Sequence, residues 1–117
     1  MKLRIRHNSI RLRLTQSEVA QLRDAGAVEE YIEFEQGQRL TYLIQSAADM
    51  ESLTAEYRDG NILLTVPKLM VAAWADSAQV GMESTGPLRL MIEKDFRCID
   101  PADPEDNVDT FPNPTCL

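Results

Sequence analysis

Apolar and charged residues alternate strictly at the start of the chain, over residues 2–6 and again over residues 10–14. A period of two places neighbouring side chains on opposite faces of a β-strand. The polar run His7-Asn8-Ser9 between the two stretches suits a tight turn. The pattern therefore predicts a β-hairpin with one apolar face and one basic face.

A helix is predicted directly after this hairpin. Thr15 and Glu18 have the spacing of a capping box, in which a hydroxyl and a carboxylate satisfy free backbone N–H groups at a helix start. Val19 and Leu22 stand one turn apart as a buried stripe, and Gly26 suits the end of the helix. The first 26 residues thus predict a hairpin followed by a capped helix.

The same alternation predicts three further hairpins. Asp59-Gly60 is the strongest short hairpin signal, because both turn residues must tolerate a positive φ. Gly37 and Gly86 mark the other two turns. The predicted strand pairs are residues 28–35 with 40–45, 53–58 with 61–66, and 79–83 with 88–93.

The second half of the chain repeats the pattern of the first. Thr15 and Pro67 both stand where a helix begins, and Leu22 and Trp74 occupy equivalent apolar positions. We predict an α+β fold, a duplicated β-β-α-β-β unit with about eight antiparallel strands, two helices and a pseudo-twofold axis. The pattern leaves open whether the sheet closes into a full or half-closed barrel. Six positions are identical when residues 9–28 are set over 61–80: Ile10/Ile62, Leu12/Leu64, Val19/Val71, Ala20/Ala72, Asp24/Asp76 and Val28/Val80.

Length and composition fit one globular domain. The chain has 117 residues, of which 44% are hydrophobic and 26% charged. We predict one domain over residues 1–97, with halves 1–46 and 52–94, followed by an acidic, proline-rich tail over residues 98–117. The apolar stretch 66–75 falls short of the roughly 18 residues of a membrane helix, and the alternating start lacks a signal-peptide core. These features predict a cytoplasmic protein without a membrane partner.

Charge is polarised along the chain. The net charge is −7, yet residues 1–13 carry five basic side chains and no acid, while residues 98–117 carry five acids and no base. An acidic total argues against nucleic-acid binding, which needs a net basic footprint. A protein partner, or a homodimer in which the tail of one copy approaches the basic hairpin of another, remains open.

The basic face of the first hairpin is the leading candidate site. Like charges directly opposite each other destabilise a sheet, so another group must compensate them. One interpretation is a ladder of ion pairs with Glu29, Glu33 and Glu35 on an adjoining strand, and polar-out alternation favours it. The functional interpretation is a site for a phosphate, nucleotide or carboxylate, which guanidinium groups bind bidentately. Its ligand-binding residues would be Arg4, Arg6, Arg11 and Arg13.

The tail is a weaker candidate for metal binding. Cys98, Asp100 and Cys116 could serve as zinc ligands, and the carboxylates alone would suit calcium. Their spacing matches no common metal-binding loop, and a solvated tail anchored by Phe111 is the simpler interpretation. A Cys98–Cys116 disulfide would require an oxidising compartment, whereas both thiols stay reduced in a cytoplasm.

No motif specifies a reaction. His7 is the only histidine, and nothing in the sequence places it beside Cys98 as a general base. The leading hypothesis is therefore a small non-enzymatic binding or interaction module that needs no cofactor. The alternative is an enzyme acting on a phosphorylated or carboxylated small molecule, in which the arginines hold the anion and Glu29 or Glu33 acts as acid/base or metal ligand.

Three stretches carry a resemblance to other proteins. They are Asn8-Ser-Ile-Arg-Leu-Arg-Leu-Thr-Gln-Ser-Glu-Val19, Val28-Glu-Glu30, and Ile92-Glu-Lys-Asp-Phe96 with Cys98. In these the chain resembles a family of small bacterial proteins known as a conserved domain of unknown function. The likeness extends over most of the chain, including Phe111-Pro-Asn-Pro114. It implies no activity, and it implies a turn glycine at the position of His7, which argues against a catalytic role for this histidine.

Overall fold

In the computed structural model, residues 1–84 and 86–96 are described, and they form eight strands and two helices. The predicted tail, with Cys98, Asp100 and Cys116, lies outside the described residues. The elements are β1 (Lys2–Arg6), β2 (Ser9–Leu14), α1 (Gln16–Ala25), β3 (Ala27–Glu33), β4 (Arg39–Ala47), β5 (Thr54–Arg58), β6 (Asn61–Pro67), α2 (Lys68–Ala75), β7 (Gly81–Glu83) and β8 (Arg89–Lys94).

The strands form two four-stranded sheets, and over the described residues they do not close into one barrel. Sheet 1 has the order β1-β2-β8-β7, and sheet 2 has the order β3-β4-β6-β5. The four hairpins are antiparallel, as the sequence predicts, but the central pairs β2/β8 and β4/β6 are parallel. The parallel pairs arise because each helix carries the chain from one sheet to the other, so that two hairpins from different halves meet in each sheet.

The two sheets have the same plan. If each strand of sheet 1 is replaced by the strand four places away in the chain, the order β1-β2-β8-β7 becomes β5-β6-β4-β3. This is the order of sheet 2 read from its other edge. Backbone hydrogen bonds follow the same relation: Arg89 N–H donates to the Asn8 carbonyl at 3.0 Å, and Thr41 N–H donates to the Gly60 carbonyl at 2.9 Å. The α+β class is thus confirmed, and the topology has the twofold pattern that a duplicated unit would have.

One hydrophobic cluster joins both sheets and both helices. Leu12 and Leu14 on β2 are almost fully buried, as are Leu64 and Val66 at the equivalent positions of β6. Helix α1 buries Val19 and Leu22 and helix α2 buries Val71 and Trp74, in agreement with the predicted apolar stripes. The Trp74 ring has no exposed surface, and its indole N–H donates to the Val80 carbonyl at 3.0 Å.

The predicted start and end signals of α1 are confirmed. Thr15 N–H donates to Glu18 Oε1 at 2.9 Å, and Glu18 N–H donates to Thr15 Oγ1 at 3.4 Å, which completes the capping box. Gly26 ends the helix with a φ of 87°. In the described chain, no helix has the length and apolar character required to cross a membrane.

Candidate functional site

The four arginines that the sequence predicts as anion-binding residues all lie on the outward face of sheet 1. The register of β1 and β2 places Lys2 opposite Arg13 and Arg4 opposite Arg11. The inward side chains of the same strands, such as Leu12, are buried in the core. We call this surface the basic face and define it by its six outward cations: Lys2, Arg4, Arg6, Arg11, Arg13 and Arg89.

Three carboxylates on the neighbouring strands lie against these cations. Glu93 Oε1 is 3.2 Å from Arg11 Nε and 3.5 Å from Arg13 Nε, so that one carboxylate serves two guanidinium groups. Asp95 Oδ2 lies 3.0 Å from Lys2 Nζ. At the far side of the sheet, Glu83 Oε1 accepts a hydrogen bond from Arg89 Nε at 2.7 Å.

The ladder with Glu29, Glu33 and Glu35 predicted for this face is wrong. Glu29 and Glu33 belong to β3 in sheet 2, where Glu33 lies 3.9 Å from Arg39, and Glu35 follows β3 in a short 3₁₀ turn. The predicted ladder does not form because β2 pairs with β8 and not with β3. The carboxylates proposed for the alternative enzyme are therefore not brought together with the arginines.

Of the described residues, six cations and three carboxylates lie on the basic face, and these six are more than half of the eleven lysines and arginines among residues 1–96. The side chains of Arg11 and Arg13 are only 12% and 14% exposed. Arg4 and Arg6 on the edge strand β1 are exposed. The exposed cations of the basic face are therefore those of β1 together with Arg89, whereas the carboxylates named above lie on β7, β8 and the residue after β8.

Gly81 on β7 has a role at this site that the sequence did not indicate. A Cβ atom at this position would lie 2.8 Å from the Ile92 carbonyl oxygen and 2.9 Å from Glu93 Cγ. Both distances are shorter than van der Waals contact, so the close approach of β7 to Glu93 requires glycine. The only signal in the sequence is a glycine at the start of a short strand.

A second charged cluster lies where the start of β1 meets α1, β3 and β4. The ammonium group of Met1 binds the carboxylates of Glu18 and Glu30. The Tyr42 hydroxyl donates to Glu30 Oε2 at 3.0 Å and lies 3.2 Å from the Met1 carbonyl oxygen. Sequence analysis identified Glu18 only as a capping residue. The second contact depends on the tertiary fold, because the three groups are far apart in the chain.

The cluster shifts the pKa values of its members. Burial alone would raise the pKa of Glu18, but the hydrogen bonds from the Met1 ammonium group and the Thr15 backbone lower it to about 2. Burial would lower the pKa of the ammonium group, and the two carboxylates raise it overall. Burial and the neighbouring Glu30 both raise the pKa of Tyr42.

Stability should therefore fall in acid because of Glu18. Its folded pKa of about 2 lies below the unfolded value of 4.5, so its contribution is present above pH 4.5 and is lost towards pH 2. Because the carboxylates of the cluster are partly exposed, we expect about 1–2 kcal/mol rather than the full equivalent of the pKa shift. Urea denaturation between pH 2 and 6 measures this loss.

The matched variants for this measurement are Glu18→Gln and Glu29→Gln. Glutamine can still cap the helix backbone, but it has no charge to titrate, so Glu18→Gln should flatten the dependence of the unfolding free energy on pH. Glu29 is exposed on sheet 2, and its replacement should leave the dependence unchanged. An equal dependence in wild type and Glu18→Gln would contradict the assignment.

A groove of about 320 Å³ opens where α1, α2 and the end of β8 meet. Its two cations are engaged within the protein: Arg23 pairs with Asp24 and Asp76 at 2.8 and 2.9 Å, and Lys94 Nζ donates to the Ser77 carbonyl at 2.6 Å. Phe96 contributes part of the wall.

The described residues contain no metal centre, and the predicted metal ligands lie outside them. Among residues 1–84 and 86–96, no group of three His, Cys, Asp or Glu side chains could hold a metal ion. The candidates Cys98, Asp100 and Cys116 lie outside this range. His7 is exposed in the β1–β2 turn with a φ of 49°, which is the position that the family resemblance assigns to a glycine.

Comparisons with known proteins identify a family of unknown function. The model of a family of unknown function (DUF7009) matches residues 1–115. No curated protein and no solved structure matches the chain. The predicted resemblance to a conserved domain of unknown function is thereby confirmed.

Proposed function

The chain belongs to the family of unknown function DUF7009, and we propose that it is a small binding module that holds anionic ligands on its basic face. One observation carries the proposal: the register of β1 and β2 sets Lys2 opposite Arg13 and Arg4 opposite Arg11. Glu93 and Asp95 offset part of the repulsion between these directly opposed like charges, and a bound anion would offset it further.

The chemistry of the face favours phosphate or carboxylate groups. Side chains directly opposite on neighbouring strands have Cβ atoms about 5 Å apart, so Arg4 and Arg11 can converge on one oxyanion. Each guanidinium offers a planar pair of donors that matches the spacing of two phosphate or carboxylate oxygens. Among the described residues, six cations of this face stand against Glu83, Glu93 and Asp95, so the charge of the face favours an anionic ligand.

An internal duplication is a further proposal. It is supported by the six identical positions in the aligned halves and by the equivalent strand orders of the two sheets. The anion site would then be a specialisation of one half. In sheet 2 the strand equivalent to β1 is β5, which has Thr54, Glu56 and Arg58 where β1 has Lys2, Arg4 and Arg6.

A titration with inorganic pyrophosphate and with citrate tests the proposed site. We expect both anions to shift the backbone amide resonances of β1 and β2 in the wild-type protein at low ionic strength. The double variant Arg4→Gln, Arg6→Gln should weaken binding by about tenfold or more, because it removes two charge-assisted contacts. Both side chains are exposed, so the fold should be retained.

The control variant is Arg39→Gln, Arg58→Gln. It removes two exposed arginines of sheet 2 and has the same net charge as the test variant. Binding to the control should equal binding to the wild type. An equal loss of anion affinity in both variants would mean that net charge alone explains the binding. Resonance shifts confined to sheet 2 would overturn the assignment to the basic face.

A further inference from the structure

We propose that the acidic C-terminal segment of the chain, residues 98–117, docks on the basic face and competes there with other anions. The docking rests on charge and chain connectivity, and the competition rests on the proposed function as well. The segment carries five carboxylates and no basic side chain, while the described residues of the basic face include six cations and three carboxylates. A complementary surface and its occupant are thus parts of one polypeptide.

The described chain already approaches the basic face at its last residues. Asp95 N–H donates to the Leu14 carbonyl at 2.8 Å, which continues the pairing of β8 with β2. The Asp95 carboxylate lies 3.0 Å from Lys2 Nζ. Glu93, two residues earlier, lies between Arg11 and Arg13. The described chain therefore ends beside this face, shortly after two carboxylates that are bound to it and shortly before residue 98.

The length of the segment suffices to cover the face. Twenty residues can span up to about 65 Å, whereas the five residues of β1 extend over about 17 Å. Its five carboxylates fall between positions 100 and 109, within reach of every cation of β1. A tether of this length holds the segment at an effective concentration of about millimolar, so even weak ion pairs would occupy the face.

Charge selects the basic face over the outward face of sheet 2. The outward charged side chains of sheet 2 include Glu29, Glu33 and Glu56 against Arg39 and Arg58, which gives no excess of cations. The cations of the groove beside α1 are engaged by Asp24, Asp76 and the Ser77 carbonyl. An acidic segment is therefore attracted to sheet 1 and not to sheet 2.

A spin label among the acidic residues tests the docking in the full-length chain. Cys98 and Cys116 are the only cysteines, so Cys98→Ser and Cys116→Ser with Asn107→Cys leave one labelling position. At low ionic strength we expect a nitroxide there to broaden the amide resonances of β1 and β2 but not those of β3 and β5. The broadening should disappear in 1 M salt, where charges are screened beyond about 3 Å.

Docking within one chain is separated from docking between two copies by a mixed sample. It combines spin-labelled chains at natural isotope abundance with ¹⁵N-labelled chains that carry no nitroxide. Broadening that is seen when the same chain carries both ¹⁵N and the nitroxide, but is absent from the mixture, supports docking within one chain. Broadening of equal size in the mixture would place the segment on a second copy and overturn the proposal. Broadening that is uniform, or stronger on sheet 2, would also overturn it.

Neutralising the segment tests the competition. The variant with Asp100→Asn, Asp103→Asn, Glu105→Gln, Asp106→Asn and Asp109→Asn should lose the broadening pattern and bind pyrophosphate at least about threefold more tightly, because the tethered competitor is removed. The control variant neutralises five exposed acids elsewhere, leaves Glu29 and Glu33 to balance the arginines of sheet 2, and has the same net charge; it carries Glu35→Gln, Asp49→Asn, Glu51→Gln, Glu56→Gln and Asp59→Asn. It should retain the broadening and the wild-type affinity.

The two proposals fail in different ways. If pyrophosphate binds neither the wild type nor the neutralised variant, the proposed function is wrong, whereas selective broadening of β1 and β2 would still establish the docking. If pyrophosphate binds both proteins equally, the segment is not a competitor and this inference is overturned, while the anion site stands.

Discussion

Replacing Trp74 by alanine is expected to lower the free energy of unfolding by about 3–5 kcal/mol, a large part of the stability of a domain of this size. The ring has no exposed surface and lies in the cluster that joins both sheets with α2. Alanine would leave a large cavity, and the Val80 carbonyl would lose the indole donor at 3.0 Å while keeping the Lys94 N–H at 2.9 Å. The expected effect is therefore the sum of lost burial, a cavity and a lost hydrogen bond.

Two variants divide this effect into its parts. Trp74→Phe keeps most of the aromatic ring but removes the indole N–H, so it should cost less than alanine, by about 1–3 kcal/mol in total. Leu69 lies on the same helix with 85% of its surface exposed, and Leu69→Ala should change the unfolding free energy by less than about 0.5 kcal/mol. Urea denaturation gives all three values, and a loss below 1 kcal/mol in Trp74→Ala would contradict the central packing of this ring.

Replacing Gly81 by alanine is expected to cost about 2–3 kcal/mol, although it adds only one methyl group. The added Cβ would overlap with the Ile92 carbonyl oxygen at 2.8 Å and with Glu93 Cγ at 2.9 Å. A backbone oxygen cannot move aside without separating β7 from β8. The displaced Glu93 would also change its contacts with Arg11 and Arg13, so the amide resonances of β2 should shift.

Gly86→Ala is the matched control for this substitution. It adds the same methyl group in the loop between β7 and β8, where no atom of the described residues lies within 4 Å of the new atom. Its unfolding free energy should equal that of the wild type or exceed it slightly, because alanine restricts the unfolded chain. Equal losses in the two variants would mean that the close approach of β7 to Glu93 does not constrain the fold.

The local elements could be predicted from the sequence because their signals are local. Strict alternation predicted the hairpins, Thr15 and Glu18 predicted the start of α1, and Asp59-Gly60 predicted a turn in which both residues have a positive φ. The resemblance to a family of unknown function was confirmed by the match over residues 1–115. The collection of Arg4, Arg6, Arg11 and Arg13 on one face follows from the same period of two.

The pairing of distant strands could not be predicted, because hairpins with similar apolar faces can join in several orders. One interpretation of the sequence placed Glu29, Glu33 and Glu35 on a strand that adjoins the basic hairpin. The register shows β8 as the neighbour of β2, so Glu93 takes that place. The contacts of Glu18 and Glu30 with Met1 escaped prediction for the same reason, since 17 and 29 positions separate these groups along the chain.

The exchange of hairpins between the two halves has a consequence for biosynthesis. When residues 1–47 have left the ribosome, β2 and β4 have their hairpin partners, but the edges that later pair with β8 and β6 are open. Residue 9 can pair only after residue 89 has been synthesised, and residue 41 only after residue 61, so neither sheet is complete before then. The growing chain thus exposes two strand edges that can pair with other chains. Folding after β8 has emerged must therefore be faster than aggregation through these edges.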